Sequence, residues 1–215
     1  MNIKTQSSLT SGILSGLYPV TDTALLQSHL VERVRDTLKG GARLVQYRDK
    51  GNDHGRRLNE ALQLKQLCSE YNALLIINDD IQLTIDANAD GVHLGANDQD
   101  LSHARTTLGT DKIIGISCYN QLDLAIEAER HGANYIAFGS FFSSSIKPEA
   151  VTADIDLLRQ ARQKISVPIA AIGGITLQNA QTLVTAGANM LAVINGVFAQ
   201  KAIQSTAQAF SSLYK

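Results

Sequence analysis

Short apolar runs alternate along this chain with longer segments in which apolar positions recur at helical spacing. Eight runs read as strands, at residues 17–21, 43–48, 74–78, 91–94, 113–117, 135–139, 168–172 and 191–194. Stretches such as LLII, KIIGIS and PIAAIGG are almost unbroken apolar, the pattern of parallel strands covered on both faces. Between them, Ala61, Leu64, Leu67 and Cys68 keep a helical period, as do Leu122, Ala125 and Ile126, and then Ile155, Leu158, Ala161 and Ile165. Strand followed by helix, eight times over, specifies an α/β protein with a parallel sheet.

A weak internal repeat narrows the architecture. Gly41-Ala42, Ala89-Asp90-Gly91, Gly132-Ala133-Asn134 and Gly187-Ala188-Asn189 each precede an even-numbered strand, at intervals of roughly 43 to 55 residues. Glycine past a helix end supplies a left-handed cap and a sharp turn into the strand. A fourfold echo of a two-strand, two-helix unit favours a closed (β/α)8 TIM barrel over an open doubly wound sheet. No GxGxxG follows the first strand, so the dinucleotide fingerprint is absent. Residues 1–15, rich in Ser, Thr and Gln, read as a loose arm, and residues 16–215 as one barrel domain.

Composition removes several function classes. Nineteen Lys plus Arg against twenty Asp plus Glu give a net charge of −1, unlike the basic excess of a nucleic-acid binder. The two cysteines, Cys68 and Cys118, lie far apart with no CxxC, which argues against a disulfide framework or a structural zinc site. The polar N-terminus lacks the apolar stretch of a signal peptide, and no run is long enough to span a bilayer. A cytoplasmic protein without membrane or nucleic-acid partners is expected.

In a barrel of this kind, chemistry sits at the carboxyl ends of the strands and in the loops that follow. The second strand ends Gln46-Tyr47-Arg48-Asp49-Lys50, and alternation places Gln46, Arg48 and Lys50 on one face. An amide followed by two cations is either a solvated strand end or a grip for a phosphorylated ligand. The third strand ends Asn78-Asp79-Asp80; one aspartate there could cap the next helix, which leaves the other to be explained. Asp98, after the fourth strand, puts a further carboxylate on the neighbouring rim. Such a pair suits Mg²⁺ that keeps waters and shares substrate phosphates. His93 reads first as a satisfied core histidine. Ser117 ends the fifth strand, and the serine-rich loop through Lys147 could fold over an anion. Gly173-Gly174 and Asn195-Gly196 end the last two strands, where this fold usually binds phosphate. No catalytic triad or GxSxG elbow is present.

QYRDK, IINDD, DGVHLGAND, IIGIS, GSFFSSSIKP, AIGGI and AVING, in this order from about residue 16 to 212, resemble the thiamine phosphate synthases. The resemblance implies condensation of a hydroxymethylpyrimidine diphosphate with a thiazole phosphate, giving thiamine phosphate and pyrophosphate through a dissociative, cation-like step. It implies that Gln46, Tyr47, Arg48, Asp49, Lys50, Asn78, Ser117 and Lys147 hold the pyrimidine diphosphate. It assigns Asp79 and Asp98 to Mg²⁺, and Ser144, Ser145, Ile146, Gly174, Ile194 and Asn195 to the thiazole phosphate. Arg48, Lys50, Ser117 and Lys147 are the expected catalytic groups, with the loop at 143–147 as a lid. Family members are often dimers, so the resemblance admits a homodimer. The chain departs from the family at Ile146, where a threonine is usual, at Asn195 for serine and at Ala96 for glutamine. The missing threonine hydroxyl corresponds to about 1.5–3 kcal/mol of hydrogen bonding to a charged phosphate. A thiazole tautomerase-like paralogue and a non-catalytic phosphate sensor are the alternatives.

Overall fold

A computed structural model describes residues 14–95, 99–143 and 151–214. Eight strands form one parallel sheet: β1 (Gly16–Pro19), β2 (Leu44–Tyr47), β3 (Leu74–Asn78), β4 (Gly91–Leu94), β5 (Ile113–Ser117), β6 (Tyr135–Phe138), β7 (Ile169–Ile172) and β8 (Met190–Val193). Their order runs β1-β8-β7-β6-β5-β4-β3-β2. The remaining seam closes where Val20 bridges Gln46 and the Thr21 amide donates to the Gln46 carbonyl at 2.9 Å. The buried Thr21 hydroxyl also accepts from the Arg48 amide at 2.8 Å. The fold is therefore a TIM barrel, the closed form that the fourfold repeat favours over an open sheet. No helix among the described residues is long and apolar enough to cross a membrane.

Two cores follow from strand alternation. Outward side chains such as Val45, Leu75, Ile77 and Ile136 pack beneath the helices, which include α1 (Thr23–Leu26), α2 (Leu30–Lys39), α3 (His54–Glu70) and α4 (Ile81–Asp86). Inward side chains, among them Tyr18, Leu44, Ile76, Ile113, Tyr135 and Met190, fill the barrel.

The internal repeat has a physical basis. Gly41, Gly132 and Gly187 adopt positive φ after a helix, and Asn88, at φ 46°, takes the same place in the second unit. In all four, the next amide returns to a carbonyl five residues back, as with Ala42 to Thr37 and Ala188 to Leu183. The polar residue that follows then staples the preceding strand. Asp90 accepts from the Leu75 amide, Asn134 from that of Ile114, and Asn189 from that of Ile169.

Candidate active site

The carboxyl ends of the strands surround a cavity of about 370 Å³, within the usual range for small-ligand sites. Gln46, Arg48, Asn78, Ser117, Gly174, Ile194 and Asn195, all expected from the sequence, line it. A second, shallower groove adjoins it and contains Lys50, Arg57, Asp79 and Asp80; Asn78 lines both. Lys50 thus leaves the face shared by Gln46 and Arg48: β2 ends at Tyr47, and strand alternation no longer holds three residues beyond it.

Side chains at the two remaining positions of the QYRDK run turn away from the cavity. The Tyr47 hydroxyl donates to Glu60 on α3 at 2.6 Å, and burial pushes its acidity far down. Asp49 pairs with Arg56 at 2.7 Å and accepts from the Gly51 amide. Burial pushes its carboxyl up, but Arg56, Gly51 and Thr23 together outweigh it and leave the group below its ordinary value.

The two aspartates after β3 divide their tasks. Asp80 caps α4, accepting from the Leu83 amide at 2.8 Å, and pairs with Arg57 at 2.9 Å. Asp79 sits at φ 62°, a left-handed conformation that Asp and Asn tolerate better than most residues. Its half-exposed carboxylate faces the groove and accepts from both Lys50 Nζ and Asn78 Nδ2 at 2.7 Å. An open carboxylate that already attracts an ammonium suits a hard cation keeping some of its waters. Among the described residues, no group of three or more His, Cys, Asp or Glu is placed to form a complete metal cage. Asp98, Ala96, Ser144, Ser145, Ile146 and Lys147 lie outside the described residues.

On the opposite wall, glycines let the loops after β6, β7 and β8 pack closely. A Cβ on Gly174 would fall 2.7 Å from the Phe142 carbonyl oxygen, and one on Gly173 would overlap Ser140. The Phe142 amide donates to the Gly173 carbonyl at 3.1 Å. Asn179 fastens the β7 loop, accepting from the Thr176 amide at 2.9 Å and donating to the Gly174 carbonyl at 3.0 Å. The sequence reading missed Asn179, although an Asn shortly after a Gly-Gly turn is a recognisable loop staple.

The sequence also undervalued three inward side chains: Tyr18 and His93, which line the cavity, and the buried Tyr135, whose hydroxyl meets both. His93 lies between the Tyr135 hydroxyl and the Ser117 hydroxyl. Burial pushes its imidazole down to about 4, with Asp79 pulling weakly the other way, so the ring is neutral near pH 7.

Residues 17–197 match the thiamine monophosphate synthase family. The chain belongs to that family. The thiamine-phosphate synthase of Nitrosospira multiformis is 50% identical over 202 residues, spanning 94% of this chain and 86% of that one. That of Nitrosococcus oceani is 48% identical over 201 residues, 93% of each. The thiamine phosphate pyrophosphorylase of Pyrococcus furiosus superposes with a TM-score of 0.85 at 32% identity, covering 94% of this chain and 96% of that one. A 3-hexulose-6-phosphate synthase, at 14% identity and a TM-score of 0.73, shares the barrel alone. Membership in the thiamine monophosphate synthases makes this chain an enzyme of the transferase class.

Proposed function

We propose that this enzyme condenses 4-amino-2-methyl-5-(diphosphooxymethyl)pyrimidine with a thiazole phosphate, forming thiamine phosphate and pyrophosphate. The observation that carries this reading is the junction at Asn78, which lines both the mouth cavity and the charged groove. A pyrimidine held in the cavity by Gln46 and Ser117 can lay its diphosphate along Arg48, Asn78 and Lys50. Gly174, Ile194 and Asn195 on the far wall receive the thiazole phosphate; by family resemblance Ser144, Ser145 and Ile146 would serve the same phosphate and Lys147 the diphosphate.

The reaction breaks the bond between the methylene carbon and the diphosphate oxygen, and its electron pair leaves with pyrophosphate. The thiazole nitrogen then supplies a lone pair to the electron-poor methylene. Arg48 and Lys50 meet the charge gathering on the leaving group, which accelerates such a step more than a strong base could. Apolar walls from Val20, Ala137, Ala170 and Ile172 keep water from competing with the thiazole. Asp79, with Asp98, would hold Mg²⁺, which supplies further neutralisation of the diphosphate when bound. The cavity accommodates the reacting centre, so proximity adds to the electrostatic effect.

Purified protein mixed with both substrates and Mg²⁺ should release thiamine phosphate and pyrophosphate in equal amounts. Binding of either substrate without product would identify a sensor. Conversion of the thiazole phosphate with the diphosphate untouched would identify a tautomerase-like enzyme.

A further inference from the structure

At the wall of the mouth cavity, five side chains from five strands form one hydrogen-bonded chain across the barrel. Gln46 Nε2 donates to the Tyr18 hydroxyl at 2.9 Å, and Tyr18 meets the Tyr135 hydroxyl at 2.8 Å. Tyr135 meets His93 Nδ1 at 2.9 Å, and His93 Nε2 meets Ser117 Oγ at 2.8 Å. The three inner members are buried and locked by ring contacts. Tyr18 stands edge-on to Tyr135, with centroids 5.9 Å apart, and His93 stacks on Tyr135 at 5.5 Å. Such a run of polar groups inside a barrel core is expensive unless every member is satisfied. Its two ends, Gln46 and Ser117, line the cavity, and so do Tyr18 and His93; Tyr135 alone of the five stands behind the lining.

Proton counting gives the chain a direction. A Gln amide nitrogen only donates, so the Tyr18 oxygen accepts there and passes its own hydrogen to Tyr135. Tyr135 then donates to His93 Nδ1, and the single N–H of the neutral imidazole lies on Nε2, aimed at Ser117. Ser117 is thereby left with its own O–H to offer to the cavity, while the Gln46 amide, with its nitrogen engaged below, offers its oxygen. Reversing the order without turning the Gln46 amide makes Tyr18 accept twice and leaves its own hydrogen without a partner in the chain.

We propose that Tyr18, Tyr135 and His93 are positioning residues that set the hydrogen-bond polarity of Gln46 and Ser117, making the pocket selective for a 4-aminopyrimidine over its 4-oxo counterpart. The amino group is a donor and the adjacent ring nitrogen an acceptor, matching a glutamine oxygen and a serine O–H. A 4-oxo ring presents the opposite pair, an oxygen and an N–H: its oxygen meets the Gln46 oxygen, and its N–H is accepted only if the Ser117 hydrogen turns aside. The proposal rests on the synthase reading for the identity of the ring, but the polarity of the chain can be read without turnover.

The first test is ¹⁵N NMR of histidine-labelled protein, with the His93→Asn variant used to pick its signal from the five histidines. The expected spectrum shows His93 protonated on Nε2 and bare on Nδ1. The Nδ1–H tautomer would overturn the stated polarity. The second test is Tyr135→Phe, which keeps the ring and cuts the chain. KM for the pyrimidine diphosphate should rise about tenfold, with KM for the thiazole phosphate unchanged and discrimination against the 4-oxo analogue reduced. In a Ser117→Ala background the same substitution should add little to pyrimidine KM. Equal losses toward both substrates, or full additivity with Ser117→Ala, would reduce the chain to a purely structural role. Failure of the synthase reading would show separately, as wild-type protein that binds the pyrimidine probe, measured calorimetrically, without forming thiamine phosphate.

Discussion

Replacing Gly115 by alanine drives a methyl group into the Tyr135 ring inside the barrel. Gly115 pairs with Tyr135 in the register of β5 and β6, and with His93 on the other side. A Cβ there would overlap Cζ, Cε1 and the hydroxyl of Tyr135. The ring has little freedom to retreat, because Tyr18 and His93 flank it and both hold its hydroxyl. Overpacking of this kind costs about 1–3 kcal/mol. Each buried hydroxyl or imidazole left without its partner adds about 1–3 kcal/mol. Together they predict a loss of about 3–5 kcal/mol, or about 6–20 °C in Tm for a chain of this size. Urea unfolding followed by circular dichroism measures it. The same substitution in a Tyr135→Ala background should be nearly neutral, because the ring it strikes is gone, so the cycle should show a coupling above about 2 kcal/mol. Equal losses in the two backgrounds would refute the steric account.

Asp79→Asn keeps the left-handed backbone and the hydrogen-bonding shape but removes the charge. Stability should change by less than about 0.5 kcal/mol, while turnover in saturating Mg²⁺ falls about a hundredfold or more; unchanged turnover would remove Asp79 from the reaction. Asn179→Ala should cost about 1–2 kcal/mol in urea unfolding and raise KM for the thiazole phosphate several-fold, leaving the pyrimidine KM alone. A shift in the pyrimidine KM instead would show that the β7 loop serves the other substrate. His93 titrates in the folded protein at about 4, below its ordinary 6.5, so the unfolded chain binds more protons between these values. Its contribution to stability is complete above pH 6.5 and is lost as pH falls toward 4, by about 3 kcal/mol at most. The stability difference between wild type and His93→Asn should therefore shrink across that window, and a constant difference would contradict the burial argument.

Periodicity carried the reading of the fold far. Residues 74–78 and 113–117 are bounded correctly because each is an apolar run ending in a polar group, and 91–94 because glycines, Gly91 and Gly95, stand at its two limits. The inner face of β2 was equally clear: Gln46 lies on it, and Arg48, one residue past the strand's end at Tyr47, still lines the same cavity. Lys50 escaped because alternation is a property of strands and has lapsed by the third residue past the end of β2. The Asp79-Asp80 pair shows what a backbone adds: capping is visible in sequence, but which aspartate caps depends on the φ of Asp79. Tyr18, His93 and Tyr135 were out of reach for a different reason. Tyr18 and Tyr135 stand 117 positions apart, and only barrel closure tells a residue on β1 that it faces one on β6. His93 was read as a satisfied core histidine and is one; its partners are what join it to the cavity.

A crystal structure of the enzyme with thiamine phosphate, pyrophosphate and Mg²⁺ tests the division of the site most directly. The pyrimidine should lie between Gln46 and Ser117, pyrophosphate along Arg48, Lys50 and Asp79, and the thiazole phosphate against Gly174 and Asn195. Pyrophosphate at the Gly174 wall, or a pyrimidine out of reach of Gln46 and Ser117, would contradict it.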